Sequence, residues 1–284
     1  MRNDITSISQ MGRIIDNSYY NMAPLTVFNQ KNFGIFEYSE KLNKFEPLPI
    51  KDEENLSDRI PKMFKSVYLG NESETYLIAG GLEYASEMKS SERAFLLEKD
   101  GLLSEVMPMY YGRQNFAMTV VQAPRKPRGS DQNAWAYCIG GFSIKEGALD
   151  HVERFSLDNK EWELASRMTT RRINPGSCSI NNTHIYVFGG RSEGEEYFDS
   201  IERFNIELNI WSLLSIKLPQ KLCNTFAFPF TNGNEDHIII LGGLKKKDIS
   251  NKNGGINYPL LNTSSDYDVD PNVYMYNRTK EVWV

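Results

Sequence analysis

The chain has 284 residues, 40% hydrophobic and 24% charged, with 32 Lys and Arg against 37 Asp and Glu, a net charge of −5. That length fits one large domain or two ordinary ones. The balance excludes disorder along the whole chain and offers no basic excess for nucleic acid. The longest apolar runs, such as IIIL at 238–241, are far too short to span a bilayer.

The chain opens on MRNDITSISQ, which has no apolar core of the signal-peptide type. Three widely spaced cysteines, Cys138, Cys178 and Cys223, form no CxxC pair. They support neither a disulfide framework nor a cysteine-rich zinc site and read as buried thiols in a reducing compartment. A cytoplasmic protein without membrane attachment is therefore expected.

After residues 1–20, a unit recurs along the rest of the chain. In the first, degenerate copy (21–50), LTVFNQ is followed by GIFEYSEKLNKFEPLP, with Phe45 seven residues after Tyr38. The second (61–108) has YLIAGG ending at Gly80-Gly81, Phe95 fourteen residues on, and Leu102 seven further. The third (113–168) repeats those offsets with Gly140-Gly141, Phe155 and Trp162, and the fourth (172–218) with Gly189-Gly190, Phe204 and Trp211. The fifth (221–284) has Gly242-Gly243, an insertion that delays the aromatic to Tyr276, and Trp283 seven residues later. Self-similarity at a fixed period is the signature of a repeat architecture.

The fourth unit shows what each copy forms. GSCSI is a strand, Asn181-Asn182 a tight turn that tolerates positive φ, and HIYVF a fully apolar second strand. Gly189-Gly190 ends it where a side chain would obstruct a turn or a neighbouring backbone. SIERFNI is a third strand with alternating faces and WSLLSIKL a fourth. Four antiparallel strands, apolar inside and polar outside, make one propeller blade.

These doublets, the seven-residue step from aromatic to Trp, and the segments VERFSLDNKEW (152–162) and IERFNIELNIW (201–211) resemble the kelch family of β-propellers. The resemblance covers residues 61–284 well. It implies an all-β fold of four-stranded antiparallel blades and says almost nothing about function. Such propellers commonly have six blades, and five repeats are present. Either residues 1–20 supply a strand that closes the ring, or the ring is atypical or truncated with an open edge.

Antiparallel order puts the loops 82–91, 142–150, 191–200 and 244–272 at one end with the connectors near 51–62, 108–113, 166–172 and 217–221. That face is where a partner is expected. Arg113, Arg172 and Lys221 stand ten or eleven residues after Leu102, Trp162 and Trp211 and are expected near the channel mouth, facing an acidic peptide segment. Tyr84, Tyr197 and Phe198 are candidate aromatic anchors. The 244–272 insertion carries Lys245, Lys246 and Lys247, then Asp266, Asp268 and Asp270, and reads as a solvated loop. Glu153-Arg154 and Glu202-Arg203 occupy matching inner positions and need partners there.

Catalytic chemistry is thin. His184 and His237 each lie five residues before a doublet, where Trp135 and Thr75 stand in other copies, so the place is structural. His151 beside Asp150 lacks a third group. The ExxxDxxxH iron pattern of nitrile-specifier propellers is met by Glu146 and Asp150 but has Arg154 in its third place. DYDVD at 266–270 lacks the glycine and closing glutamate of a calcium loop. The expectation is a non-catalytic scaffold or interaction module without metal or cofactor, binding a protein through the loop face. Substrate recruitment to a ubiquitin ligase is a narrower alternative, weakened because 37 residues before Tyr38 are too few for a BTB domain. The alternative of another class is a small-molecule or carbohydrate enzyme with its site at the channel mouth.

Overall fold

The computed structural model describes residues 26–29, 34–39, 41–47, 50–51, 59–69, 75–84, 88–122, 134–232, 235–246 and 267–284. The expected closing strand at 1–20 lies outside them, as do Lys247 and Asp266. The first copy forms a three-stranded antiparallel sheet of β1 (Thr26–Asn29), β2 (Gly34–Ser39) and β3 (Lys44–Pro47). Tyr38 and Phe45 stand directly opposite each other in it.

Four complete blades follow, each an antiparallel four-stranded sheet. Blade 2 is β4 (Lys65–Tyr68), β5 (Tyr76–Ala79), β8 (Ala94–Leu97) and β9 (Leu103–Val106), and its loop is a ribbon of β6 (Leu82–Tyr84) and β7 (Met88–Ser90). Blade 3 is β10 (Ala117–Gln122), β11 (Ala134–Ile139), β14 (Val152–Ser156) and β15 (Glu161–Ala165), with a ribbon of β12 (Phe142–Ser143) and β13 (Gly147–Ala148). Blade 4 is β16 (Gly176–Ile180), β17 (His184–Phe188), β18 (Ser200–Asn205) and β19 (Ile210–Lys217). Blade 5 is β20 (Phe226–Asn232), β21 (Glu235–Leu241), β24 (Val273–Asn277) and β25 (Val282–Trp283), with a ribbon of β22 (Leu244–Lys246) and β23 (Tyr267–Val269). The first strands of blades 2 to 5 pack in that order side by side, which is the propeller arrangement.

In blades 2 to 4 the second strand is largely apolar because both of its faces are covered, and YLIA in β5 is buried at every position. The first strands of blades 3 and 4 alternate, with every second residue of β10 and β16 buried. The resulting cores lie between blades. Leu77, Ala79 and Leu96 of blade 2 meet Ala136, Cys138 and Trp162 of blade 3, and Tyr186 and Phe188 of blade 4 meet Ile238 and Ile240 of blade 5.

The Trp of the repeat ties neighbouring blades together. Trp162 packs tilted against Phe155 at 5.2 Å between ring centroids, and Trp211 stacks on Phe204 at 4.9 Å. The indole N–H donates to the end of the preceding blade: Trp162 Nε1 to the Met107 carbonyl at 2.8 Å, and Trp211 to Ser166 at 2.8 Å. Trp283 donates likewise to Lys217 but is only half-buried, since β25 is a two-residue strand. Leu102 departs from the expected pattern. The turn between β8 and β9 is longer, so Leu102 is exposed and its neighbour Leu103 is the buried residue, packed with Phe95.

Trp162→Ala removes both the inter-blade packing and the hydrogen bond to Met107. The variant should lose about 3–5 kcal/mol in urea unfolding, as large aromatic truncations do. A loss below about 1 kcal/mol would show that the blades do not depend on this contact.

Candidate functional site

The face carrying the ribbons and the blade-to-blade connectors is built on the glycine doublets. All eight glycines have positive φ. The second glycine of one blade donates its N–H to the connector entering the next: Gly81 to the Arg113 carbonyl, Gly141 to Arg172 and Gly190 to Leu222, each at 2.8 Å. The first glycine lies beneath that same carbonyl. A Cβ at Gly189 would stand 2.1 Å from the Leu222 oxygen, and at Gly80 it would stand 2.6 Å from the Arg113 oxygen. Here glycine is required both by close backbone approach and by φ.

Arg113 and Arg172, expected at the channel mouth, are instead wholly buried. Their guanidinium groups turn into their own blades. Arg113 pairs with Glu153 and donates to the Gly140 and His151 carbonyls, both at 3.0 Å. Arg172 pairs with Glu202 at 2.9 Å and donates to the Gly189 carbonyl at 2.7 Å. Each glutamate's remaining capacity is spent on the connector: Glu153 accepts from the Tyr110 and Tyr111 N–H groups, and Glu202 from the Thr169 N–H and hydroxyl. Burial pulls the Arg172 guanidinium below its ordinary value, and Glu202 opposes the shift. A buried charge persists only when paired and fully hydrogen-bonded, so these arginines are structural staples and are not displayed to a partner.

Lys221 is not the third member of that set. The carbonyl that Gly190 contacts belongs to Leu222, so the residue equivalent to Arg113 and Arg172 is Leu222. The register between β18 and β19 shifts between Ser200 and Glu202, and the longer β19 moves the count by one. Counting back two residues from the paired aromatic, Tyr274 stands in blade 5 where Glu153 and Glu202 stand in theirs. Blade 5 has therefore exchanged both members of the ion pair for Leu222 and Tyr274, which pack in one core.

Lys221 is exposed and lines a cleft of about 880 Å³ between the blade 4 loop and the β22–β23 ribbon. Lys245 and Lys246 line it with Lys221, and Glu195, Glu196 and Asp268 also contribute. None of the three lysines is held in an ion pair among the described residues. Tyr197, expected as an exposed anchor, is 4% exposed and forms the cleft's inner wall, its ring 6.0 Å from that of Tyr267. Burial raises its phenol, and burial also pushes the adjoining Cys223 thiol to about 11. Phe198 is half-buried, with the Arg172 guanidinium 5.3 Å over its ring. Of the three aromatic candidates only Tyr84 is displayed, 61% exposed with the Lys62 ammonium over its ring.

A second group on this face surrounds His151 and Asp150, which the sequence brought forward without the residues that stand around them. Tyr110 is exposed, Tyr111 packs on the His151 ring at 3.9 Å between centroids, and Arg167 and Arg171 are exposed beside them. Asp150 lies 3.2 Å from His151 Nδ1 and 4.0 Å from Arg171. The available signal was the pair Arg171-Arg172, since neighbouring side chains of an extended segment point oppositely and only one can enter the blade. Burial, and then Arg167, lowers the His151 pKa from its ordinary 6.5, outweighing Asp150. Arg154 bonds Glu163 through two nitrogens and lies over Trp135. His237 is buried within 3.1 Å of Asn277.

A model of the Kelch motif matches residues 171–216, which is blade 4 with its entering connector. No curated protein matches the chain. Among the described residues, no helix is long and apolar enough to cross a membrane, and no group of three His, Cys, Asp or Glu is placed to hold a metal ion.

Two measurements check these assignments. Glu202→Ala should cost about 3–5 kcal/mol by stranding the Arg172 charge, whereas Arg172→Leu combined with Glu202→Tyr, the blade 5 arrangement, should cost clearly less than the summed single changes. Strict additivity would contradict the staple. The lowered His151 pKa means the fold favours the neutral ring. Its contribution is complete above the ordinary histidine value and is lost as pH falls through the folded value. His151→Gln should therefore reduce the fall in Tm between about pH 7.5 and 5, leaving the part due to His184, also lowered by burial. An unchanged pH slope would remove His151 from the account.

Proposed function

We propose that this propeller, with the Kelch motif in its fourth blade, is a non-catalytic protein-binding scaffold that holds an acidic peptide segment in the cleft between blades 4 and 5. The observation that supports this most is the set Lys221, Lys245 and Lys246, three cations outside any ion pair among the described residues on one concave surface. Glu195, Glu196 and Asp268 balance them in sum, so a carboxylate-rich segment is drawn to the three lysines themselves and oriented by the contrast within the cleft. The Glu195 and Glu196 side limits the charge the cleft accepts and gives the bound segment a direction. Tyr84 and Tyr110 add exposed aromatic area elsewhere on the same face. Rigidity comes from the staples beneath, so little ordering is left to the moment of binding. The three buried, free thiols suit a reducing compartment such as the cytoplasm.

The test is fluorescence polarisation with a labelled Asp/Glu-rich peptide and a Lys-rich control. Lys221→Glu, Lys245→Glu and Lys246→Glu together should weaken the acidic probe at least about tenfold and remove most of its salt dependence. The circular-dichroism spectrum should be unchanged, because all three side chains line open surface. Equal binding by wild type and triple variant, or no preference of the wild type for the acidic probe, would refute the reading.

A further inference from the structure

Blades 3 and 4 carry the same tyrosine–arginine pair on the face that each turns toward the next blade, Tyr137 opposite Arg154 and Tyr186 opposite Arg203. In blade 3 the arginine is completed within its own sheet. Glu163 stands opposite it on the outer strand and accepts from Nε at 3.0 Å and from Nη2 at 2.7 Å, while Nη1 reaches the Tyr137 hydroxyl at 3.4 Å. In blade 4 the residue opposite Arg203 is Ser212, whose short side chain ends far from where a glutamate's carboxylate would lie. Ser212 is exposed, so that place is open to solvent. Arg203 is held in no ion pair among the described residues.

A second guanidinium reaches the same place from blade 5. Arg203 and Arg278 both lie beside the buried Tyr186 hydroxyl, where they oppose the rise that burial gives its phenol. Asp236 holds Arg278 there through Nη2 and itself accepts from Asn181 Nδ2 of blade 4 at 2.7 Å. Arg278 Nε is buried and has no acceptor among the described residues, which is a costly state for a charged donor. An arginine edge without its glutamate and a buried donor without its acceptor, on two different blades, thus point to one missing group. The local field agrees. His184, at the start of β17 with its Nδ1 2.9 Å from the Thr183 hydroxyl, is lowered by burial and then by Arg203 and Arg278, with no carboxylate opposing them. The exposed Glu281 acts on Tyr276 instead.

We infer that the seat between Arg203, Arg278 and the Tyr186 hydroxyl binds a carboxylate from outside the chain, in the position that Glu163 fills in blade 3. A planar acceptor with two oxygens matches the edge of a guanidinium, as the Arg154–Glu163 pair shows. A single negative charge also matches the one guanidinium left after Asp236 has paired with Arg278, whereas a phosphate dianion would exceed it. The same group is presented by a small organic acid and by an Asp or Glu side chain of a partner. The seat lies toward the turn end of blades 4 and 5, since Asn181, Asp236 and Arg278 all flank turns there, and is separate from the lysine cleft on the loop face. The inference is therefore independent of the acidic-peptide reading.

The test is an NMR titration of the His184 imidazole, assigned by loss of its signal in His184→Gln, with sodium acetate replacing sodium chloride at constant ionic strength. Acetate should raise the His184 pKa, because a bound anion offsets the two guanidinium groups, with half-saturation on the order of 10 mM as suits a partly exposed pair. Ser212→Glu rebuilds the blade 3 arrangement. It should raise the His184 pKa without acetate and weaken the acetate response at least about tenfold, because the chain then fills its own seat. Ser212 is exposed, so this variant keeps the fold, and the lysine triple variant should respond like wild type. N-acetyl-glutamyl amide separates the two sources: tighter binding than acetate identifies a partner's side chain, and equal binding a small acid. No response to acetate up to about 200 mM, or the same response in wild type and Ser212→Glu, overturns the proposal. A stronger response to inorganic phosphate than to acetate overturns the carboxylate assignment.

Discussion

The connector residue that enters each blade holds the array together, because it belongs to two blades at once. Its carbonyl accepts from the second glycine of the preceding blade, and its side chain enters the blade that follows. Arg113 and Arg172 do this with a guanidinium, whose several donors reach the Gly140 or Gly189 carbonyl and the glutamate together. The geometry demands glycine on one side and a residue satisfied in a closed interior on the other. The ribbons, the cleft and the connector aromatics are all placed by that joint, since Tyr110, Tyr111 and Thr169 are bonded to the same glutamates.

Blade 5 shows that the joint does not need a charge. With Leu222 and Tyr274 in place of the ion pair, the backbone link from Gly190 is as short as in the charged blades. Desolvating two charges roughly cancels their attraction, so exchange of a buried ion pair for matched apolar groups is energetically mild. Losing one member alone is severe. The two positions therefore change together, and a chain can hold charged and apolar versions of one joint in successive blades.

Much of the fold was legible because its determinants are local and periodic. The doublets, the apolar second strands and the aromatic-to-Trp step each reflect a requirement repeated in every blade, and the structure places Phe155, Phe204 and Tyr276 directly opposite Trp162, Trp211 and Trp283. The site was less legible, for two physical reasons. Charge in a connector suggests solvent, yet the interiors of blades 3 and 4 each hold a glutamate and backbone carbonyls already placed to accept from a guanidinium, and Arg113 and Arg172 go inward. Counting along the chain also fails wherever a strand bulges. The shift between β18 and β19 is enough to make Lys221 look like the third arginine when Leu222 is.

The same miscount explains why Lys221 remains available. At the joints of blades 3 and 4 the cation is drawn inward and paired with a glutamate, as both arginines are. One residue before the joint of blade 5, Lys221 is exposed beside Lys245 and Lys246, which the β22–β23 ribbon carries to the same cleft. The apolar joint of blade 5 supplies no buried glutamate to compete for these cations, because Tyr274 occupies that place. Blade 5 thus combines loss of the staple charge with three lysines that are held in no ion pair among the described residues.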